Sequence, residues 1–514
     1  MNIPSKSTDG LPPSKAIEKH VYLETFGCQM NVLDSELVQD QLSALGYQFV
    51  ENADDANVVL YNTCSVRDQA EHKVVSRLGR MRQRKEKDPN LIVGMLGCMA
   101  ERTGQSVSKK FPALDLMCGP SELDQLPGLL ENLYTQINRS EKPEKQFALS
   151  GHNSRRSKTH DLAMDRLEAL DQGRLVDPGL QNSQAYVRIT RGCNKFCAFC
   201  VVPFTRGPEV HRSPDAIVAE VGRLVANGAQ EVTLLGQTIN HYHFEETSFA
   251  QLLKRIHDEN PLLPRLRFLT SYPRDFTDEA LDVMASSPRI CGFLHIPAQH
   301  GNDRVLKKMN RGYTRQSYLE LIDRARSRMP DVSIVGDMIV GFPTETDEEF
   351  EDSLTLLREV RYKNVFVFKY SPRPGTVTDR KDADDIPESL KKVRNNRMLE
   401  VQQEISLKHH QDMIGREFDV LVEGTAKIDP RKQAGADVQP RDIDGPRQDT
   451  LVQIKKKSAA PASAGETTDQ SAWLTSRTMG DHIVTFGGSE HQIGQIARVR
   501  ITHASALSLK AELV

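Results

Sequence analysis

The sequence predicts an α/β protein in three parts: an N-terminal doubly wound, Rossmann-like domain, a central partial (β/α)6 barrel and a C-terminal small β-barrel. Three observations lead there. Short apolar runs alternate with helical patterns across 21–137 and again across 185–375, a polar and charged stretch separates the two, and the tail switches to brief Val- and Ile-rich strands. At 514 residues the chain is too long for a single core.

In the first region VYLETFG (21–27) reads as a strand, followed by an amphipathic helix over about 33–45 that Gly46 can terminate. NVVLYNT (57–63) and the basic helix 66–85 repeat the unit, as do LIVGMLG (91–97) and a helix near 100–110. That rhythm implies parallel strands. From 138 the chain turns polar, NRSEKPEKQ to SRRSKTHD, and reads as a linker in which LAMDRLEALDQ forms a short helix. Six strand candidates follow: AYVRIT, EVTLLG, RLRFLTSY, GFLHIPA, VSIVGDMIVGF and NVFVFKYSP. Six such units in one run favour a partial barrel over a second Rossmann sheet. A helix-rich stretch covers 388–411, and FDVLVEG, HIVTFGG and IARVRI supply the tail strands. The resulting division is 20–137, a linker 138–178, 179–411 and 412–514, with a low-complexity, disordered insertion expected at 426–470.

Hydrophobic residues at 38% and charged residues at 27% fit a soluble globular protein. The polar start offers no apolar h-region, and no apolar run approaches the ~18 residues of a membrane helix. The expected setting is the cytoplasm, without a membrane, and the expected assembly is a monomer. A net charge of −3 argues against a generally basic nucleic-acid-coating protein. Eight cysteines in such a chain point to metal binding or catalysis before disulfides.

RGCNKFCAFC sets Cys193, Cys197 and Cys200 in a C-x3-C-x2-C array directly after AYVRIT. Chance would produce such an array about 0.002 times per chain. Three thiolates from one short loop are soft ligands for an iron–sulfur cluster or for zinc, and structural zinc needs a fourth protein ligand that the loop lacks. A 4Fe–4S cluster held by three cysteines leaves one iron open for the amino and carboxylate groups of S-adenosylmethionine. Phe196 and Phe199, between the ligands, are expected to exclude water. Cys28, Cys64 and Cys98 form a second set: no motif links them, yet each directly follows a predicted strand. Carboxyl ends of parallel strands share one sheet edge, so these three either converge on a second cluster or are buried core cysteines. Cys118 and Cys291 have no partners in either array and read as core.

Taken together, ETFGCQMN, YNTCSVR, GMLGCMAER, RGCNKFCAFCVVPFTRGPEV, LLGQ, HIPAQHGNDRVLKKMNRGYTR, GDMIVGFPTET and YSPRPGT resemble the methylthiotransferases of the radical S-adenosylmethionine superfamily. The GCQMN and VVPFTRGPE segments resemble its tRNA branch. The resemblance spans about 20–135 and 183–380. It implies an N-terminal methylthiotransferase domain whose Cys28, Cys64 and Cys98 hold an auxiliary 4Fe–4S cluster, and a radical S-adenosylmethionine core around Cys193, Cys197 and Cys200. It also implies a TRAM-like tail that holds RNA. The implied reaction converts N6-(dimethylallyl)adenosine at position 37, in the tRNA anticodon loop, to its 2-methylthio form. It uses two S-adenosylmethionine-dependent steps, radical C–H activation and sulfur methylation, and an external electron donor. The tail departs from the pattern in two ways: a long insertion separates Gly424 from Arg477, and Ser476 stands where glycine is usual. Residues 414–514 carry 13 Lys and Arg against 13 Asp and Glu, so the tail is not basic overall.

Other candidates are weaker. Gly236 and Gln237 end EVTLLG and either contact the methionine moiety of the cofactor or form a plain turn. Asp337, in GDMIVGFP, is expected to contact cofactor or substrate. His295 and Gln299 read as buried, satisfied polar groups. Arg304, Lys307, Lys308 and Arg311 share a helical segment that meets phosphates or forms a solvated charged face. Rival functions are the same chemistry on threonylcarbamoyl-adenosine or on a ribosomal-protein aspartate, and a non-catalytic iron–sulfur protein that binds RNA or senses redox state.

Overall fold

The computed structural model describes residues 19–65, 68–150, 159–174, 183–426 and 472–514. The expected insertion at 426–470 therefore falls almost wholly outside the described residues.

The first domain runs β1 (His20–Thr25), α1 (Gln29–Ala44), β2 (Gln48–Phe49), β3 (Val58–Thr63), α2 (Asp68–Lys87), β4 (Ile92–Gly97), α3 (Cys98–Thr103), α4 (Gln105–Lys110), β5 (Leu116–Cys118), α5 (Leu126–Asn138) and β6 (Gln146–Ala148). The strands form one parallel sheet in the order β2-β1-β3-β4-β5-β6. Every residue of β3 and β4 is buried, as central strands covered on both faces require. The expected helix near 100–110 is broken in two at Gly104, whose positive φ of 52° interrupts it. The structure also departs from the expected linker. β6 extends the sheet by a strand, and α6 (Thr159–Gln172) packs on the first domain through Leu167. α6 contains the short helix expected at LAMDRLEALDQ, whereas β6 was not readable, because a three-residue strand amid charged neighbours has no period to detect.

The second region adds β7 (Gln184–Arg188), β8 (Thr190–Arg191), α7 (Val202–Thr205), β9 (Val210–His211), α8 (Pro214–Ala226), β10 (Glu231–Leu235), the small hairpin β11 (His243–Phe244) and β12 (Thr247–Ser248), α9 (Phe249–Glu259), β13 (Arg265–Phe268) and α10 (Asp278–Ser286). It continues with β14 (Phe293–His295), α11 (Asp303–Lys308), α12 (Arg315–Arg328), β15 (Ser333–Val340), α13 (Asp347–Val360), β16 (Asn364–Lys369), α14 (Val377–Lys381) and α15 (Glu388–Gln411). Strands β7, β10 and β13 form one parallel sheet and β14, β15 and β16 another. The Leu266–Ile290 bridge joins them into the six-stranded partial barrel. Capping boxes start α9, α12 and α13 at Ser248, Thr314 and Thr346, so each helix begins where its strand-end loop needs it. One large apolar core fills the space between sheet and helices, with smaller clusters around Phe342 and Phe293.

The tail is a closed barrel of β17 (Glu417–Thr425), β18 (Ala472–Thr478), β19 (Ile483–Gly488), β20 (Ile496–Ala504) and β21 (Leu509–Leu513). It docks at the amino ends of the central strands. Arg265, which opens β13, donates to the carbonyls of Arg477 and Asp419 at 2.8 and 2.7 Å. Lys363, just before β16, pairs with Asp481 at 2.9 Å.

Candidate active site

Cys28, Cys64 and Cys98 come from three strands and meet on one edge. The strands they follow, β1, β3 and β4, are adjacent and parallel, so their carboxyl ends lie side by side. Cys28 caps α1, Cys64 follows β3 at once, and Cys98 opens α3. Two glycines allow the approach. A Cβ on Gly27 (φ +129°) would stand 2.5 Å from Cys64 Cβ, and one on Gly97 (φ +86°) would stand 2.6 Å from the Thr63 carbonyl oxygen. The buried Asn31 and Asn62 lace these loops together. Asn31 Nδ2 donates to Asn62 Oδ1 at 3.1 Å and to the Thr63 carbonyl at 2.9 Å, while Asn62 Nδ2 returns a bond to the Asn31 carbonyl at 2.8 Å. The Cys28 thiol donates to Asn31 Oδ1 at 3.3 Å.

The other triad sits at the carboxyl end of the first barrel strand, in the loop after β8. Gly192 (φ +74°) lets that loop fold back on Gly207, whose carbonyl accepts from the Cys193 amide at 3.2 Å. The turn after α11 holds the rest: the Ala198 amide donates to the Met309 carbonyl at 2.9 Å, and Asn310 Nδ2 donates to the Phe196 carbonyl at 2.9 Å. Phe199 packs edge-on against Phe342, as a water-excluding ring should, but Phe196 does not fit that expectation. Its ring is 43% exposed because residue 196 takes a positive φ of 50° that turns it outward.

Each triad faces a buried arginine. Arg311 donates to Cys197 Sγ at 3.2 Å and to the Pro297 carbonyl at 3.0 Å, with its guanidinium over the Tyr272 and Tyr313 rings. Arg206, at the end of α7, pairs with Asp34 at 2.8 Å, touches Asn31 Oδ1 at 3.3 Å, and lies where its charge acts on the Cys98 and Cys28 sulfurs. Helix α7 follows Cys200 and packs on α3, which begins with Cys98, so the carboxyl edges of the two sheets meet. The Asp34 carboxylate also takes Arg188 of β7 at 3.1 Å, and Arg188 reaches Asp171 of α6. The domains are thus clamped by buried charge beside the cysteines.

Of the two readings of the 304–311 segment, the exposed Arg304 and Lys307 fit a solvated charged face, and Arg311 fits neither. Arg304 is paired with Glu349 and Lys308 with Asp382, while Arg311 is buried against sulfur rather than turned to phosphate. Sequence reasoning also missed Arg206, Asn31 and Asn62. They stand inside the motif segments, but no spacing rule marks an arginine of one domain as a neighbour of cysteines in another.

Gly236 and Gln237 lie at the carboxyl end of β10. A Cβ on Gly236 would stand 2.3 Å from Thr190 Oγ1, and Gln237 Oε1 is buried with no hydrogen-bond partner. Thr190 Oγ1 and Ser271 Oγ are likewise buried and unpartnered. Asp337 is in the middle of β15, 3.3 Å from His295 Nε2 but off hydrogen-bond alignment, so His295 is not the satisfied group expected. Gln299 is half-buried and uses its backbone to bridge β15. A row of polar atoms without protein partners therefore follows the strand ends beside Cys193. Cys118 and Cys291 are fully buried, as a core reading requires.

The donor sets fit 4Fe–4S clusters and S-adenosylmethionine. Among the described residues, neither triad draws its three sulfurs within 4.8 Å of one another. A tetrahedral zinc with ~2.3 Å bonds would need edges of about 3.8 Å. Burial pushes the Cys193 thiol up to about 11 and the Cys200 thiol to about 12, with neighbouring sulfurs adding to the rise. Burial also raises Cys98, opposed by Arg206. Iron would displace those protons and relieve the repulsion.

Comparison with known proteins agrees with this arrangement. A model described as the radical SAM superfamily matches residues 187–357, and one described as uncharacterized protein family UPF0004 matches 20–119. A tRNA-2-methylthio-N(6)-dimethylallyladenosine synthase of Rhodopirellula baltica is 40% identical over 96% of this chain and 95% of its own length. The same-named proteins of Thermoanaerobacter sp. (36% identity; 98% and 94% coverage) and Syntrophotalea carbinolica (40%; 80% and 89%) are also similar. With relatives this similar across nearly its whole length, the chain belongs to the tRNA-2-methylthio-N(6)-dimethylallyladenosine synthase family of radical S-adenosylmethionine enzymes.

Proposed function

We propose that this chain is a tRNA methylthiotransferase that places a methylthio group on C2 of N6-(dimethylallyl)adenosine at position 37, with the two cysteine triads as its cluster sites. The observation that carries the reading is the packing of α3, which opens with Cys98, on α7, which follows Cys200, with Arg206 at the end of α7 turned to the Cys98 and Cys28 sulfurs. When loaded, the clusters and S-adenosylmethionine supply reductive cleavage of a sulfonium at one site and a sulfur donor at the other.

The chain's own groups do the rest. Cys193, Cys197 and Cys200 would hold the cluster that binds S-adenosylmethionine. Gln237 Oε1 and Thr190 Oγ1 offer unspent hydrogen-bonding capacity to the cofactor's amino-acid end, and Gly236 lets the Thr190 hydroxyl pack against the end of β10. Asp337 and His295, 3.3 Å apart on neighbouring strands, would orient a substrate or cofactor that reaches them. Cys28, Cys64 and Cys98 hold the auxiliary cluster, and the Asn31–Asn62 lacing keeps that edge rigid. The docked tail supplies RNA contact. Its described arginines are engaged, Arg498 with Asp419 and Arg500 with Glu417, so the charge seen by RNA is a mixed surface rather than a basic stripe.

The test is anaerobic reaction of the two-cluster enzyme with tRNA from a strain lacking only the methylthio step, followed by nucleoside mass spectrometry. Appearance of the 2-methylthio dimethylallyl nucleoside is expected. Modification confined to threonylcarbamoyl-adenosine would overturn the substrate assignment.

A further inference from the structure

Outside the cysteines, one group of metal-ligating side chains is assembled in three dimensions. Glu209 lies in the segment entering β9, His211 ends β9, and His241 closes the turn after β10. Glu209 Oε1 is 3.1 Å from His241 Nδ1 and 3.5 Å from His211 Nε2, and one ligand atom from each residue falls within 4.8 Å of the others. The Glu209 side chain is 1% exposed, and its second oxygen, Oε2, is buried with no hydrogen-bond partner.

These distances match an ion site. Two ligand atoms bonded at ~2.0–2.1 Å to a tetrahedral metal stand about 3.3 Å apart. The supporting contacts match as well. His211 Nδ1 lies 2.6 Å from both the carbonyl oxygen and the amide nitrogen of His243, so the backbone fixes the ring with Nε2 turned towards Glu209. Stacking on Tyr242 at 5.6 Å fixes that ring, and Thr238 Oγ1 donates to Glu209 Oε1 at 2.9 Å. A buried carboxylate facing two imidazole nitrogens needs a cation. Burial works against its charge, yet hydrogen bonds from His211, His241 and Thr238 bring it down to about 2. The competing occupant is a proton on His241, whose affinity its hydrogen bond to Glu209 raises.

We infer that Glu209, His211 and His241 form a three-ligand site for a borderline divalent cation of the zinc or ferrous-iron class, with one coordination position open. Two imidazoles and one carboxylate disfavour magnesium and calcium, and three protein ligands are the set that leaves a place for water or substrate oxygen. His241, at 45% exposure, forms the outer wall and the entry path. The site uses none of the six triad cysteines but adjoins the Cys193 loop, where the Glu209 amide donates to Asn194 Oδ1 at 3.3 Å, and nothing in the proposed activity requires it.

The experiment uses the enzyme with both clusters loaded, given one equivalent of zinc, gel-filtered, and assayed for zinc and iron by plasma mass spectrometry. Zinc K-edge absorption then identifies the ligands. One retained zinc per chain with a nitrogen and oxygen shell at ~2.0–2.1 Å is expected. His211→Gln/His241→Gln should keep its iron and lose at least about tenfold in zinc affinity. His241→Ala, changed at the exposed ligand alone, covers the case in which the double variant fails to fold. A sulfur shell at ~2.3 Å, no retained zinc, or equal retention by folded variants would each overturn the inference.

Discussion

The two cysteine triads are built by opposite routes. Cys193, Cys197 and Cys200 lie within eight residues on one loop, and their geometry is local: a positive-φ glycine behind them, a turn in front, an arginine on one sulfur. Cys28, Cys64 and Cys98 are spread over 71 residues and meet only because β1, β3 and β4 are neighbours in a parallel sheet. The first site therefore depends on a loop, the second on a domain. The second should be the more sensitive to packing, and the first to its ligands alone.

The largest effect should come from removing either triad, and the two removals should differ in kind. Cys193→Ala/Cys197→Ala/Cys200→Ala should abolish 5′-deoxyadenosine release and methylthiolation alike, by at least about a thousandfold. Cys28→Ala/Cys64→Ala/Cys98→Ala should keep cofactor cleavage and lose only methylthiolation. Each variant should retain about four of about eight irons. Equal loss of cleavage in both would erase the division of labour.

How much of this was legible in the sequence follows the same contrast. A C-x3-C-x2-C array is visible because its ligands are adjacent in the chain. The other triad was visible only as a position, one cysteine after each of three apolar runs, and depended on those runs pairing in parallel. β1, β3, β4 and the six barrel strands were readable because buried β-branched runs are long and bounded, while the short β2 and β5 were not. β6, β18 and β21 were not, being short or flanked by polar residues. Arg206 and Arg311 were beyond reach: both look like surface charge, and only the fold reveals that one faces Cys98 and the other Cys197. Glu209, His211 and His241 lack ligand spacing for the same reason.

A packing substitution tests the dependence on the domain. Gly27→Ala puts a Cβ 2.5 Å from Cys64 Cβ at a φ that L-residues avoid, so it should cost roughly 2–4 kcal/mol and about half the iron. Gly46→Ala, also at positive φ but with open space around it, should cost only about 1 kcal/mol and no iron. Iron counts and thermal melts decide between them. Equal iron loss in both would mean that the close approach to Cys64 is not what holds the site.

The arginines offer a smaller, site-specific effect. Removing a buried positive charge beside a cluster disfavours the reduced, more negative state. Arg206→Met should therefore move the auxiliary potential on the order of 100 mV more negative, with Arg206→Lys recovering most of the shift. Arg311→Met should do the same to the other cluster only. Potentiometric titration followed by electron paramagnetic resonance separates the two. Movement of both potentials by either change would show that one shared field, rather than two local ones, sets them.

The smallest effect lies at the far end of the barrel and leaves both triads untouched. His410 Nδ1–H donates to the Ser505 carbonyl at 2.6 Å, His482 Nδ1–H donates to His410 Nε2 at 3.2 Å, and the Ser333 hydroxyl donates to His482 Nε2 at 3.1 Å. Every position in this relay from tail to core is filled only when both imidazoles are neutral. Burial lowers the proton affinity of each, with the Lys363 charge adding to the fall and Asp481 opposing it at His482. The unfolded rings titrate near 6.5, so between that value and their folded pKa the undocked state binds more protons. Docking is thus at full strength above pH 6.5 and weakens as pH falls, by about 1.4 kcal/mol per unit for each ring until its folded pKa is reached. Hydrogen exchange of β19 and β20 at pH 7 and pH 5.5 should show the tail loosening at the lower value with iron content unchanged. His482→Gln, which cannot charge, should flatten the difference while lowering protection at pH 7. Loss of iron in parallel with tail protection would instead mean that acid acts on the cysteine edge, and the two ends of the barrel would then not be independent.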